Sequence, residues 1–138
     1  MIDGLKRSFN VSSTGGKYKV LGVKEIKGKN KNKCNGVLIK INTAEELAKL
    51  MTREKNYEPR WLDHKRLSFP YKKSVDLKPA DQIIYFYPQA KYTLTKKAAE
   101  QVPIRPNYLN ICLKGATALG DDFLQDFAET TEGLVFNK

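Results

Sequence analysis

Short runs in which apolar and β-branched residues alternate with polar ones, bounded by turn residues, mark strands along this chain. They predict strands over Arg7–Val11, Lys17–Lys24, Gly36–Ile41, Glu58–Leu67 and Gln82–Tyr87. Ser12–Gly16 and Gly28–Asn35 read as the turns between the first three. Pro59, Pro70 and Pro88 belong at edges or ends, because proline has no amide to give to a central ladder.

Three segments change to helical spacing. Thr43-Ala-Glu-Glu46 has the capping-box pattern, in which Thr43 and Glu46 satisfy free amides reciprocally. Ala44, Leu47, Ala48 and Met51 then form one apolar face, with Glu45, Lys49 and Arg53 on wetter ones. Pro106 opens a second helix with the stripe Tyr108, Ile111, Cys112 and Gly115, which Gly120 ends in a left-handed conformation. Asp121 is placed to cap a third, carrying Phe123, Leu124 and Phe127. Residues 89–105 carry no clear period and read as loop. Strands, a helix, more strands and then paired helices predict an α+β fold with a mixed or antiparallel curved sheet. A strict strand–helix alternation is absent, which excludes a doubly wound parallel sheet.

Length and composition narrow the class. The chain has 138 residues, enough for a single domain. No apolar run approaches the ~20 residues of a membrane span, and the start, MIDGLKRSFNVSS, has no secretory apolar stretch. Cys34 and Cys112 do not make a disulfide framework. A cytoplasmic protein without membrane association is expected.

Charge adds a second feature. The net charge is +10, and residues 1–40 hold ten basic against two acidic residues, whereas residues 121–138 hold one against five. Lys17, Lys19, Lys24, Lys27, Lys29, Lys31 and Lys33 form the densest stretch. It suits either an anionic partner or a solvated hairpin whose lysines keep a strand edge soluble. The stretch has no Arg and only Tyr18 among aromatics, so the forks and stacking platforms of nucleic-acid binding are missing. Nucleic acid is therefore not the expected partner.

Candidate chemistry centres on Glu54. It follows Leu47 by seven residues and Met51 by three, in line with the apolar face as the helix ends. A carboxylate there is either desolvated or faces a pocket, and desolvation raises a carboxyl pKa toward the ~6–7 that suits a proton shuttle. The same spacing also admits a helix-end carboxylate that turns to solvent or pairs with a nearby Arg. His64 is the only histidine, and HExxH, CxxC and GxSxG patterns are absent, so metal or serine-nucleophile chemistry has no support.

Several blocks in order resemble the gamma-glutamylcyclotransferase-like family. Gly36-Val-Leu-Ile-Lys-Ile41, the helix after it and Arg53-Glu54-Lys-Asn-Tyr57 are similar to its G-V-L-x-x-I strand, helix and R-E-x-x-Y segment. Pro106-Asn-Tyr108, Cys112, Gly115-Ala116 and Gly120 resemble its helix pair, and Arg7-Ser-Phe9-Asn10 its R-x-F-N strand. Together they span about residues 5–125. The resemblance implies a small mixed or antiparallel curved β-barrel with flanking helices. It implies Glu54 as the catalytic acid/base, Tyr57 and Tyr108 near the substrate, and no metal or cofactor. The substrate would be a gamma-glutamyl compound whose α-amine attacks its own γ-carbonyl, releasing 5-oxoproline and an amine. Tyr57 and Tyr108 equally suit a core role with bonded hydroxyls. Family enzymes begin with a strand and a Tyr-Gly-Ser loop that holds the substrate. No segment here matches that loop, which is expected ahead of residue 1. Its loss would leave an open sheet edge for homo-oligomerisation and make a non-catalytic binding or regulatory module on the same fold one alternative, a basic nucleic-acid-binding domain being the other.

Overall fold

The computed structural model describes residues 1–13, 15–26, 32–71 and 76–134. In chain order the elements are strands β1 (Ile2–Asp3), β2 (Leu5–Ser12), β3 (Lys19–Glu25) and β4 (Lys33–Cys34), helix α1 (Ala44–Arg53), strands β5 (Tyr57–Leu62) and β6 (Ile83–Pro88), helices α2 (Lys96–Glu100), α3 (Tyr108–Ala118) and α4 (Asp121–Glu129), and strand β7 (Thr131–Glu132). The class is α+β.

The strands form three small sheets. β2 is central to the largest, antiparallel to β3 and parallel to β7. β5 and β6 form an antiparallel pair running from Tyr57 opposite Pro88 to Leu62 opposite Ile83. β1 and β4 form the third. The β2–β3 register shifts between Ser8 and Val11. There Gly22 permits a close approach: a Cβ on it would lie 2.4 Å from Asn10 Oδ1, 2.5 Å from Val11 Cγ2 and 2.7 Å from Pro88 Cγ. Leu5 and Val11 of β2 are fully buried, as is Pro88, the last residue of β6.

The helical part of the core forms around Ala116, Phe123 and Phe127, with Leu21, Tyr71, Cys112 and Leu113 against them. α3 turns Tyr108, Leu109, Cys112, Leu113 and Ala116 inward and leaves Ile111 68% exposed. The predicted stripe is thus rotated by about one residue. Gly120 does take a positive φ, 108°, but with an extended ψ, and it is the residue before α4 rather than Asp121 that occupies the cap. Asp121 and Asp122 instead lie in the first turn, where carboxylates suit the helix dipole.

Other expectations change. Residues 89–105, read as loop, hold the short α2, capped where Thr95 Oγ1 accepts from the Ala98 amide. The strand expected over Glu58–Leu67 ends at Leu62, and a 3-10 turn covers His64–Arg66. Gly36–Ile41 forms no strand. Val37, Leu38, Ile39 and Ile41 are instead exposed, by 58%, 43%, 75% and 39%. The predicted turn over Gly28–Asn35 falls partly outside the described residues.

Candidate functional site

α1 forms for the local reasons the pattern indicates. Thr43 Oγ1 accepts from the Glu46 amide at 3.1 Å. The reciprocal arm shifts by one residue, with the Asn42 amide donating to Glu46 Oε2 at 2.9 Å. The apolar face expected to be covered is covered only in part: Leu47 and Leu50 are half-buried, no side chain of α1 is fully buried, and Met51 is 43% exposed.

Glu54 is the C-terminal cap of this helix, its amide donating to the Leu50 carbonyl. Its side chain is 32% exposed and lies 3.8 Å from the Arg53 guanidinium. This carboxylate is therefore partly hydrated, with a loose cation beside it, and the apolar face it continues gives it little cover. The sharp turn after α1, closed by the Tyr57 amide donating to the Glu54 carbonyl at 3.0 Å, leads straight into β5.

That turn sets Glu54 just before Tyr57, and Tyr57 meets Tyr108 at the backbone of Leu21. The Tyr57 hydroxyl donates to the Leu21 carbonyl at 2.6 Å. The Tyr108 hydroxyl, from the first turn of α3, accepts from the Leu21 amide at 3.2 Å. Two phenols from distant parts of the chain thus hold the backbone of one residue of β3, one at its amide and one at its carbonyl. Burial pushes the Tyr57 phenol up, and the neighbouring Tyr108, Glu54 and Cys112 push it further. Burial likewise pushes Tyr108 up to about 12, against the Leu21 amide bond and with help from Cys112 and Glu54. Both stay neutral and hydrogen-bonded at neutral pH. Glu54 is near enough for its charge to be felt at each.

Two concavities are present elsewhere. A groove of about 770 Å³ runs along α3 between Asn107 and Ala118. A polar one of about 300 Å³ lies between Met1, Lys6, Asn32, Lys33, Asp126, Glu129 and Thr130. Glu54, Tyr57 and Tyr108 line neither.

The residue with the most built surroundings is Arg7, whose role sequence reasoning missed. Its guanidinium donates to the Phe127 carbonyl, to the hydroxyls of Thr130 and Thr131, and to the backbone and side-chain oxygens of Asn35. It also lies 4.3 Å from the centre of the Phe127 ring. Burial pulls its pKa down from the ordinary arginine value, but a guanidinium remains charged. Asn35, 2% exposed, passes the network on through its amide nitrogen, which donates to the Phe123 carbonyl and the Tyr71 hydroxyl. Tyr71 in turn donates to Asp126. The only cue for this in the sequence was an arginine within a predicted strand.

A second polar cluster lies on β3 and β6. Burial works against the Glu25 charge, but the Tyr85 hydroxyl and the Arg66 guanidinium outweigh it and hold the carboxyl below its usual range. Arg60 lies 3.6 Å over the Tyr87 ring beside it. His64 serves the chain path: Nε2 is 2.6 Å from the Asp81 carbonyl oxygen.

Of the lysine-rich stretch, Lys19 donates to the Ala99 carbonyl, Lys24 pairs with Glu132 at 2.9 Å and Lys33 lies 3.9 Å from Asp3. Lys27, Lys29 and Lys31 lie outside the described residues. Among the described residues, no group of three His, Cys, Asp or Glu could hold a metal ion. No helix among them is long and apolar enough to cross a membrane. No family model, curated protein or solved structure matches this chain.

Proposed function

We propose that this chain carries a gamma-glutamylcyclotransferase-like fold, its small sheets being parts of one curved barrel flanked by helices. In this reading Glu54 is the acid/base that cyclises a gamma-glutamyl compound to 5-oxoproline. The observation that supports it is the meeting of Tyr57 and Tyr108 at the backbone of Leu21, with Glu54 near enough for its charge to act on both phenols. Glu54 would take a proton from the attacking α-amine and return it to the departing nitrogen. Ring closure is intramolecular, so the protein's main task is to hold the substrate folded back and stabilise the oxyanion. Tyr57 already donates its hydroxyl proton to Leu21. It therefore acts chiefly by fixing the wall of the site, as does Tyr108.

A specific observation favours a second reading, a non-catalytic binding module on the same fold. Glu54 is open to water and lines neither concavity. The two readings separate in one assay, 5-oxoproline release from a panel of gamma-glutamyl compounds by the purified chain and by Glu54→Gln. The catalytic reading expects turnover that falls by about 10²–10⁴ in the variant, with the fold kept. Equal release by the variant removes Glu54 from the mechanism, and no release by the native chain favours the binding module.

A further inference from the structure

Glu54 ends a helix that does little to hold it in place. α1 has no fully buried side chain, and the ion-pair partner of the carboxylate, Arg53, stands off at 3.8 Å. The direction in which the side chain leaves is therefore set by the backbone of the turn over residues 54–57. All four carbonyls of that turn have donors. The Tyr57 amide closes onto Glu54, and Gln89 supplies the other three. Its side-chain amide donates to the Lys55 carbonyl at 3.0 Å and to the Tyr57 carbonyl at 3.2 Å. Its backbone amide donates to the Asn56 carbonyl at 3.0 Å.

Gln89 works from a fixed base. It follows Pro88, the fully buried end of β6. Its own carbonyl accepts from the Tyr92 amide at 3.0 Å and from the Thr93 hydroxyl at 2.9 Å, and the Leu94 amide donates to the Asn10 carbonyl of β2 at 2.7 Å. From the turn itself, the Asn56 side chain donates to the Ser12 carbonyl at 3.2 Å. We propose that Gln89 is the positioning residue of the Glu54 site, a role that rests on the reading of Glu54 as the acid/base. Redirecting the chain needs only the bond from Tyr57 back to Glu54. A carboxylate that must meet a reacting amine also needs its support locked, because a displacement of about 1 Å costs on the order of 10²-fold in rate. Both side-chain hydrogens of Gln89 are spent on carbonyls, so it acts through Glu54 and not on the substrate.

Two measurements on the purified chain test this. The first is amide exchange at Tyr57, whose N–H closes the turn, in the native chain, Gln89→Leu and Gln89→Glu. Leucine keeps the bulk and loses both donors, whereas glutamate keeps the shape and regains one donor only when protonated. Protection of Tyr57 should fall about tenfold in both variants at neutral pH. In Gln89→Glu it should recover below about pH 4. Protection in β2 and β3 should not change. The second is 5-oxoproline release, where Gln89→Leu should lower kcat by about 10²-fold and leave KM nearly unchanged. Unchanged protection at Tyr57, or an equal loss in β2, would overturn the proposal by showing no clamp or only a general stabiliser. A loosened turn with native kcat, or a loss confined to KM, would overturn it and leave Glu54 as the acid/base. A native chain that releases no 5-oxoproline overturns the reading of Glu54 and this role with it, whatever the exchange shows.

Discussion

Arg7 and Ile39 belong to two short runs that each read as a strand in the sequence, the first largely polar about Leu5, Phe9 and Val11, the second apolar but for Lys40. Their fates differ. The Arg7 run became β2, flanked on both sides by strands, with its guanidinium held by α4, β7 and Asn35. Among the described residues the Ile39 run joins no sheet, and the helix after it has no fully buried side chain. An apolar pattern states a demand for a partner; whether a partner arrives depends on the rest of the chain. Cooperative stability should therefore reside in the first region, and the second should open locally at little cost.

The largest expected effect tests the packed region. Arg7→Met keeps the length and apolar stem but strands the oxygens of Asn35, Thr130 and Thr131. A loss of about 3 kcal/mol is expected, read as a lower denaturation midpoint with an unchanged slope. A neutral result would show that the network gives specificity without stability, as some buried polar groups do.

Gly22→Ala comes next. The added methyl would overlap Asn10, Val11 and Pro88, all in β2 and β6, and two of the three, Val11 and Pro88, are stiff side chains rather than flexible tips. Overpacking here should cost about 2 kcal/mol. A cost near zero would mean that β2, β3 and β6 separate easily, which would erase the contrast with α1.

Thr43→Ala probes the other region. Loss of the cap should weaken α1 by about 1 kcal/mol, seen as faster amide exchange across residues 46–53. Global unfolding should hardly move, because α1 contributes no buried side chain. An equal fall in global stability would show that the two regions unfold as one.

The smallest effect is in acid. The depressed Glu25 carboxyl contributes stability that is present above its ordinary value of 4.5 and is lost as pH falls below it. Glu25→Gln should flatten the stability profile in that acid window and leave its slope above about pH 6 unchanged. The Glu25 side chain is more than a quarter exposed, so solvent screening keeps the effect modest. An unchanged acid limb would mean that Arg66 and Tyr85 do not hold the ionised form.

The local elements were legible because their signals are local. Thr43 and Glu46 mark the start of α1 through side chains that reach only three or four residues. Phe123 and Phe127 point inward as their spacing requires. The α2 cap at Thr95 was missed because five helical residues are too few to show a period. The α3 stripe was misplaced because its inner face is decided by what α4 and β3 bring against it. Glu54, Tyr57 and Tyr108 were chosen on a resemblance. Composition and spacing offered no reason to bring Tyr108 to Leu21, 87 residues away.

What the sequence alone determined, then, is the α+β class, the run of strands and helices and the chemistry available in each. Tertiary structure alone decided that Arg7 is an anchor, that Leu21 is the residue on which two tyrosines meet, and that residues 36–41 stay uncovered. Periodicity and capping are properties of neighbours in the chain, set by backbone geometry and short side chains. Burial and the pairing of a buried charge are properties of neighbours in space, and they exist only once distant segments have met.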